Sequence, residues 1–134
     1  MTGKYIILDH QADARIRAEG QDFAETLRAL CLGMWSLMID AEAVPDKERW
    51  EVAAEGDDEE ELVVKLLNEH LYRLSGEGLV VKDLLVMFPA PGSVLTRCRG
   101  ATVRDGVDIL REVKAATYND ILITPTLMEV TFDL

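Results

Sequence analysis

The chain has 134 residues, and 25 Asp+Glu against 14 Lys+Arg give it a net charge of −11. Hydrophobic residues make up 49 % and charged residues 29 % of it, the balance of a folded globular domain, which excludes disordered and collagen-like classes. No apolar run approaches the roughly 20 residues that cross a bilayer, and Met1–Tyr5 lacks a signal-peptide pattern. The expectation is therefore one cytoplasmic domain over residues 1–134, with no membrane contact. A surface this acidic also argues against direct binding to nucleic-acid phosphates.

Lys4–Leu8 reads as a strand, and after the polar Asp9–Asp13 stretch the alternation over Ala14–Ala18 predicts a second, half-exposed one ended by Gly20. Asp22 with Glu25 forms a capping-box pattern that opens a helix over Phe23–Ile39. Phe23, Leu27, Leu30, Cys31, Met34 and Met38 then fall on one apolar stripe. Trp50–Ala54 predicts a short strand. A second helix over Glu59–Leu74 buries Leu62, Val63, Leu66, Leu67, His70 or Leu71, and Leu74, with Gly76 as its carboxy-terminal cap.

Beyond Gly78 the texture is that of strands: Leu79–Phe88, Val94–Val103, Ile109–Tyr118, Ile121–Thr124 and Met128–Asp133. Turn signals at Pro89–Gly92, Asp105-Gly106 and Thr124–Thr126 separate several of them, the last predicting a tight hairpin. Two helices followed by successive hairpins predict an α+β domain, the helices packed on one face of a largely antiparallel or mixed sheet.

The charge is unevenly spread. Residues 42–61 hold ten acids and two bases, ending in Asp57–Glu61. The plain reading of that run is a solvated helix start, because acids favour the partially positive first turn and Asp58 with Glu61 makes a second capping box. Residues 97–114 hold Arg97, Arg99, Arg104, Arg111 and Lys114 against Asp105, Asp108 and Glu112. That local excess of base predicts a polarised molecule suited to orienting itself against a partner.

Few residue patterns suggest chemistry. Cys31 and Cys98 have no zinc or redox spacing and read as packed thiols. His70 reads as a buried, hydrogen-bonded histidine. There is no nucleophile elbow, phosphate-binding glycine loop or zincin motif. Asp9-His10-Gln11-Ala12-Asp13 places two carboxylates and an imidazole within five residues, a set able to ligate a hard divalent cation, although turn-forming Asp is the ordinary reading of such a stretch. Met128, Val130 and Phe132 alternate with Glu129, Thr131 and Asp133, which puts Asp133 on a polar face beside the carboxylate of Leu134. Whether Asp13 and Asp133 converge depends on the first and last strands being neighbours, which spacing alone leaves open.

Four pieces in order resemble the archease family. Asp9–Asp13 resembles its amino-terminal Asp-His-Thr-Ala-Asp signature, and Leu66–Tyr72 resembles the Leu-Asn-Glu-Leu-Leu-Tyr stretch of its second helix. Lys114–Tyr118 resembles its Lys-Ala-Val-Thr-Tyr strand, and Phe132-Asp133-Leu134 its hydrophobic-Asp-Ile/Leu close. The resemblance implies a non-enzymatic protein cofactor of the RtcB-type RNA ligase of tRNA splicing and RNA repair, promoting guanylylation and multiple turnover. A modulated tRNA methyltransferase is a further partner it implies. It also implies a divalent cation, calcium in the family, held by Asp13 and Asp133 with Leu134 as a third oxygen source, and a role for Lys114 in ligase activation. The chain departs from the family at Gln11, which replaces a Thr, and at Asn119, where many members have His. Two other readings compete: a metal-dependent hydrolase using Asp9, His10 and Asp13, and a general chaperone or binding module.

Overall fold

The computed structural model of the chain describes residues 3–9 and 12–134, with the side chain of Asp9 outside that description. Strands β1 (Lys4–Asp9) and β2 (Asp13–Glu19) lead into helix α1 (Phe23–Met38). Strand β3 (Glu48–Glu55), helix α2 (Glu59–Glu77), strands β4 (Leu79–Met87) and β5 (Ser93–Thr102), and the closing pair β6 (Ala115–Ile123) and β7 (Leu127–Asp133) follow. The α+β class and the two predicted helices are present. The strands divide into two antiparallel sheets, ordered β1-β2-β7-β6 and β3-β5-β4.

Both helices lie between the sheets. Helix α1 packs on β2 and β1 on one side and on β4 on the other, and α2 bridges β3 and β6 in the same way. This explains why the buried surface of α1 is wider than one stripe: Thr26, Ala29, Gly33 and Leu37 are buried along with Leu27, Leu30, Cys31, Met34 and Met38. Gly33 lies where the helix comes closest to the sheet, since a Cβ there would stand 2.9 Å from both Ile16 and the Tyr5 ring. Phe132, Ile16, Met128, Leu66 and Leu67 fill the space between the layers with almost no exposure.

Local chemistry sets the helix ends. The Asp22 carboxylate accepts from the Glu25 N–H at 2.8 Å, and Asp58 does the same for Glu61 at 2.8 Å. Glu25 and Glu61 reach back to the N–H groups of Gln21 and Asp57. Each pair is thus a capping box displaced by one residue at its second bond. Helix α2 runs past Gly76 and ends at Gly78, whose φ of 70° is the left-handed geometry glycine accepts and whose N–H caps Leu74. The predicted strand over Ile109–Tyr118 begins only at Ala115. Residues 107–114 cross from one sheet to the other, anchored by the Leu110 N–H to Met38 O at 2.7 Å and by the Lys114 N–H to Asp133 O at 2.8 Å.

Candidate metal centre

The core of the four-stranded sheet dictates which side chains meet on its outer face. Ala14, Ile16 and Ala18 of β2 and Met128, Val130 and Phe132 of β7 are buried against the helices. A one-residue slip would turn all six outward, so the register is fixed by burial. In that register Ala14 faces Phe132, Ile16 faces Val130, and Asp13 stands directly opposite Asp133. Directly opposed residues project from the same face with Cβ atoms about 4.5–5.5 Å apart. Strand pairing therefore brings together two carboxylates from the two ends of the chain.

The backbone around the pair is pinned from three sides. The Leu134 N–H donates to Ala12 O at 3.2 Å, and the Lys114 N–H donates to Asp133 O at 2.8 Å. Ala115 is the register partner of Asp133 on β6. Asn68 of α2 secures that junction: its side-chain carbonyl accepts from the Ala116 N–H at 2.8 Å, and its amide donates to Ala116 O at 3.2 Å.

The two carboxylates have no cationic partner among the described residues. Arg15, next on the same face, is turned to other work. Its guanidinium donates to Thr131 Oγ1 at 2.9 Å and to Glu129 at 3.2 Å, and reaches the main-chain oxygen of Asp120 at the bulge of β6. Asp120 has a φ of 52°, the one positive value on a non-glycine residue among those described. Like charges directly opposed across a ladder destabilise a sheet. Paired hard oxygens of this kind are the donor type that calcium, magnesium or manganese takes, and a shared cation would relieve that repulsion. Two side chains do not complete such a shell, and no group of three or more His, Cys, Asp or Glu gathers among the described residues. A complete shell would need further oxygens from main chain or water.

The other predicted residues sort clearly. Lys114 is exposed and lines a cleft of about 730 Å³ between α2 and residues 103–115. His10, Gln11 and the side chain of Asp9, which the hydrolase reading requires, lie outside the described residues. His70 is buried: Trp35 Nε1–H donates to its Nδ1 at 3.4 Å, and its Nε2 lies 3.0 Å from Thr96 Oγ1, which donates to Val52 O at 3.0 Å. Burial, with Arg73 nearby, pulls its imidazole down to about 3, so it is a neutral core group. Cys31 and Cys98 are buried free thiols; burial pushes Cys98 up to about 11 and Cys31 higher still. Neither is a ready nucleophile.

Arg97 and Arg99 do not form an open basic patch. Arg97 pairs with Glu51 at 3.3 Å, and Arg99 with Asp46 at 3.0 Å and Asp83 at 3.5 Å. Sequence reasoning missed the strap formed by Asn68 and the brace formed by Arg15. A lone Asn on a mostly apolar helix face was the available signal for the first. Nothing local to Arg15 announces the second, because its partners come from β6 and β7.

Comparison with known proteins supplies the context for this geometry. The sequence model of the Archease protein family matches residues 5–134. A protein archease of Thermococcus gammatolerans is 32 % identical over 120 residues, covering 86 % of this chain and 84 % of that one. A protein archease-like of Drosophila melanogaster is 32 % identical over 120 residues, covering 87 % and 77 %. The zebrafish protein archease is 36 % identical over 77 residues, and the match spans about half of its length, 48 %. In three dimensions, the solution structure of Methanobacterium thermoautotrophicum protein 1598 superimposes with a TM-score of 0.74 at 26 % identity, covering 98 % of both chains.

Proposed function

The chain belongs to the archease family, and on that premise we propose that it is a non-enzymatic activator of an RtcB-type RNA ligase, promoting guanylylation and multiple turnover. Membership carries the broader role of an accessory protein in RNA processing; the ligase, the metal and the cytoplasmic setting belong to this proposal. A tRNA methyltransferase is a second client under the same reading.

The observation that supports it most is the direct opposition of Asp13 and Asp133, without a cationic partner among the described residues. Asp13 and Asp133 would hold the cation, calcium in this reading, with a Leu134 oxygen. When bound, the cation supplies a fixed positive charge that ties the ends of β2 and β7 together. The chain's own contribution is placement. The core register sets the two carboxylates side by side, and the Lys114 N–H bond to Asp133 O fixes the start of β6 against them. Asn68 holds the following residue from the helix side. Lys114 is then carried on a rigid main chain next to the pair, with an exposed ammonium that no described side chain neutralises. A rigid acidic pair with a neighbouring cation is suited to docking at the mouth of the ligase active site and favouring its loading-competent conformation.

A reconstituted ligation with the host's own ligase tests this. Wild type should accelerate guanylylation and multiple turnover, and Asp13→Ala and Asp133→Ala should each abolish most of that gain while remaining folded. Undiminished stimulation by both variants would refute the proposal.

A further inference from the structure

A second surface, at the pole opposite the Asp pair, has the features of a preformed docking cleft. Phe23 at the start of α1 and Phe88 after β4 meet edge to face, with centroids 5.4 Å apart. Together with Leu62, Pro91 and Pro125 they line a cleft of about 470 Å³. Phe88 is 41 % exposed, a costly position for an aromatic ring. The walls are tied together by hydrogen bonds rather than by the apolar contacts alone. Gly56 N–H donates to Gly92 O at 3.0 Å, Thr26 Oγ1–H donates to Pro125 O at 2.7 Å, and Ser93 N–H donates to Ala90 O at 3.0 Å. The volume falls within the roughly 300–1,000 Å³ of small-ligand clefts, which is more than one bulky side chain occupies.

Charge identifies the occupant. Asp57, Asp58 and Glu59 line the same cleft. Asp58 is committed to capping α2, and Glu61 pairs with Lys65. Glu55, Asp57, Glu59 and Glu60 make no ion pair among the described residues. No Lys or Arg lines the cleft. An apolar slot rimmed by unneutralised carboxylates repels phosphates and anionic lipid, and attracts a cationic polypeptide that carries a bulky apolar anchor. Along β7, the Pro125 end stands roughly 20 Å from Asp133 at the rise of a strand. A partner seated here therefore does not compete for the Asp pair.

We propose that this cleft docks a basic segment of a partner protein, one bulky apolar side chain entering between Phe23 and Phe88 while flanking Lys or Arg residues meet Asp57, Glu59 and Glu60. The inference goes beyond the ligase reading and does not depend on the metal.

The probe is a fluorescein-labelled dodecapeptide with a central Leu-Trp pair flanked by Lys and Arg, alongside a counterpart with Glu at every basic position. Anisotropy should report binding of the basic peptide only. Backbone amide shifts should concentrate at residues 56–62 and 88–93. Phe88→Ala should weaken binding at least tenfold. The double variant Glu59→Gln/Glu60→Gln, which leaves the Asp58 cap intact, should weaken it severalfold and flatten its salt dependence. Asp133→Ala should bind the peptide as wild type does, whatever its effect on a ligase. Equal binding by Phe88→Ala, amide shifts spread over the whole acidic surface, or occupation of the cleft by a second copy in sedimentation of the protein alone would each overturn the proposal.

Discussion

Replacing Asp133 by Asn should change stability in opposite directions with and without calcium, if the proposed site holds that ion. The substitution keeps the shape of the side chain and removes one of two like charges at directly opposed ladder positions. At a carboxylate separation of about 6 Å in a water-like dielectric, the repulsion is about 0.7 kcal/mol, within the range measured for cross-strand pairs. For a domain of this length that corresponds to about 2–3 °C in Tm, so metal-free Asp133→Asn should melt slightly higher than wild type. If the proposed site holds calcium, the ion should reverse the order. With free ion at a hundred times its Kd, wild type should gain about 2.7 kcal/mol, or about 10 °C, while the variant gains little. Differential scanning fluorimetry in EDTA and in millimolar calcium, with Asp13→Asn as the matched partner, measures all four quantities. A variant that melts below wild type in EDTA, or that keeps the calcium shift, would refute the reasoning, because the pair would then be neither repulsive nor a ligand set.

Two further outcomes follow from the buried histidine and the second helix. His70 binds its proton near 3 in the native state against an ordinary 6.5, so between those values the unfolded chain holds a proton that the native chain does not. Its contribution to stability is intact above about pH 6.5 and is lost as the pH falls; urea titrations should show a loss of about 2 kcal/mol between pH 7.5 and 5, shrinking in His70→Gln. Asp58→Ala removes the carboxylate that accepts the Glu61 N–H and should cost about 1 kcal/mol by the same titration at pH 7.5, with Asp57→Ala as a near-neutral control.

Elements built on local chemistry were legible before any coordinates. Asp22 with Glu25 and Asp58 with Glu61 announce the helix starts, because a cap is a contact between residues three apart. His70 and the cysteines fall inside because apolar periodicity states which face is buried. The same periodicity does not state which strand neighbours which, so the division into two sheets was hidden. It also misled at Ile109 and Leu110, whose apolar side chains serve a crossover between sheets rather than a ladder. At the candidate site the sequence places Asp13 and Asp133 each on a polar strand face, but their meeting depends on a β2–β7 pairing between opposite ends of the chain. The archease resemblance supplied that convergence as an expectation, and the register places the two residues opposite each other.

That pairing also changes the meaning of the net charge of −11. Much of the basic side-chain charge is spent within the fold: Arg97, Arg99, Arg49, Arg28 and Lys47 are matched to Glu51, Asp46, Asp83 and Asp105. The carboxylates without an ion pair among the described residues include those on the rim around the start of α2 and the Asp13–Asp133 pair. The first is a broad acidic field over an apolar slot, and neutralising it requires a cationic polypeptide. The second is compact enough for one small cation to discharge. A cation at the second would leave the first untouched, so the two acidic places respond to different partners. An uneven distribution of charge of this kind favours one orientation of approach over others for a partner of complementary charge.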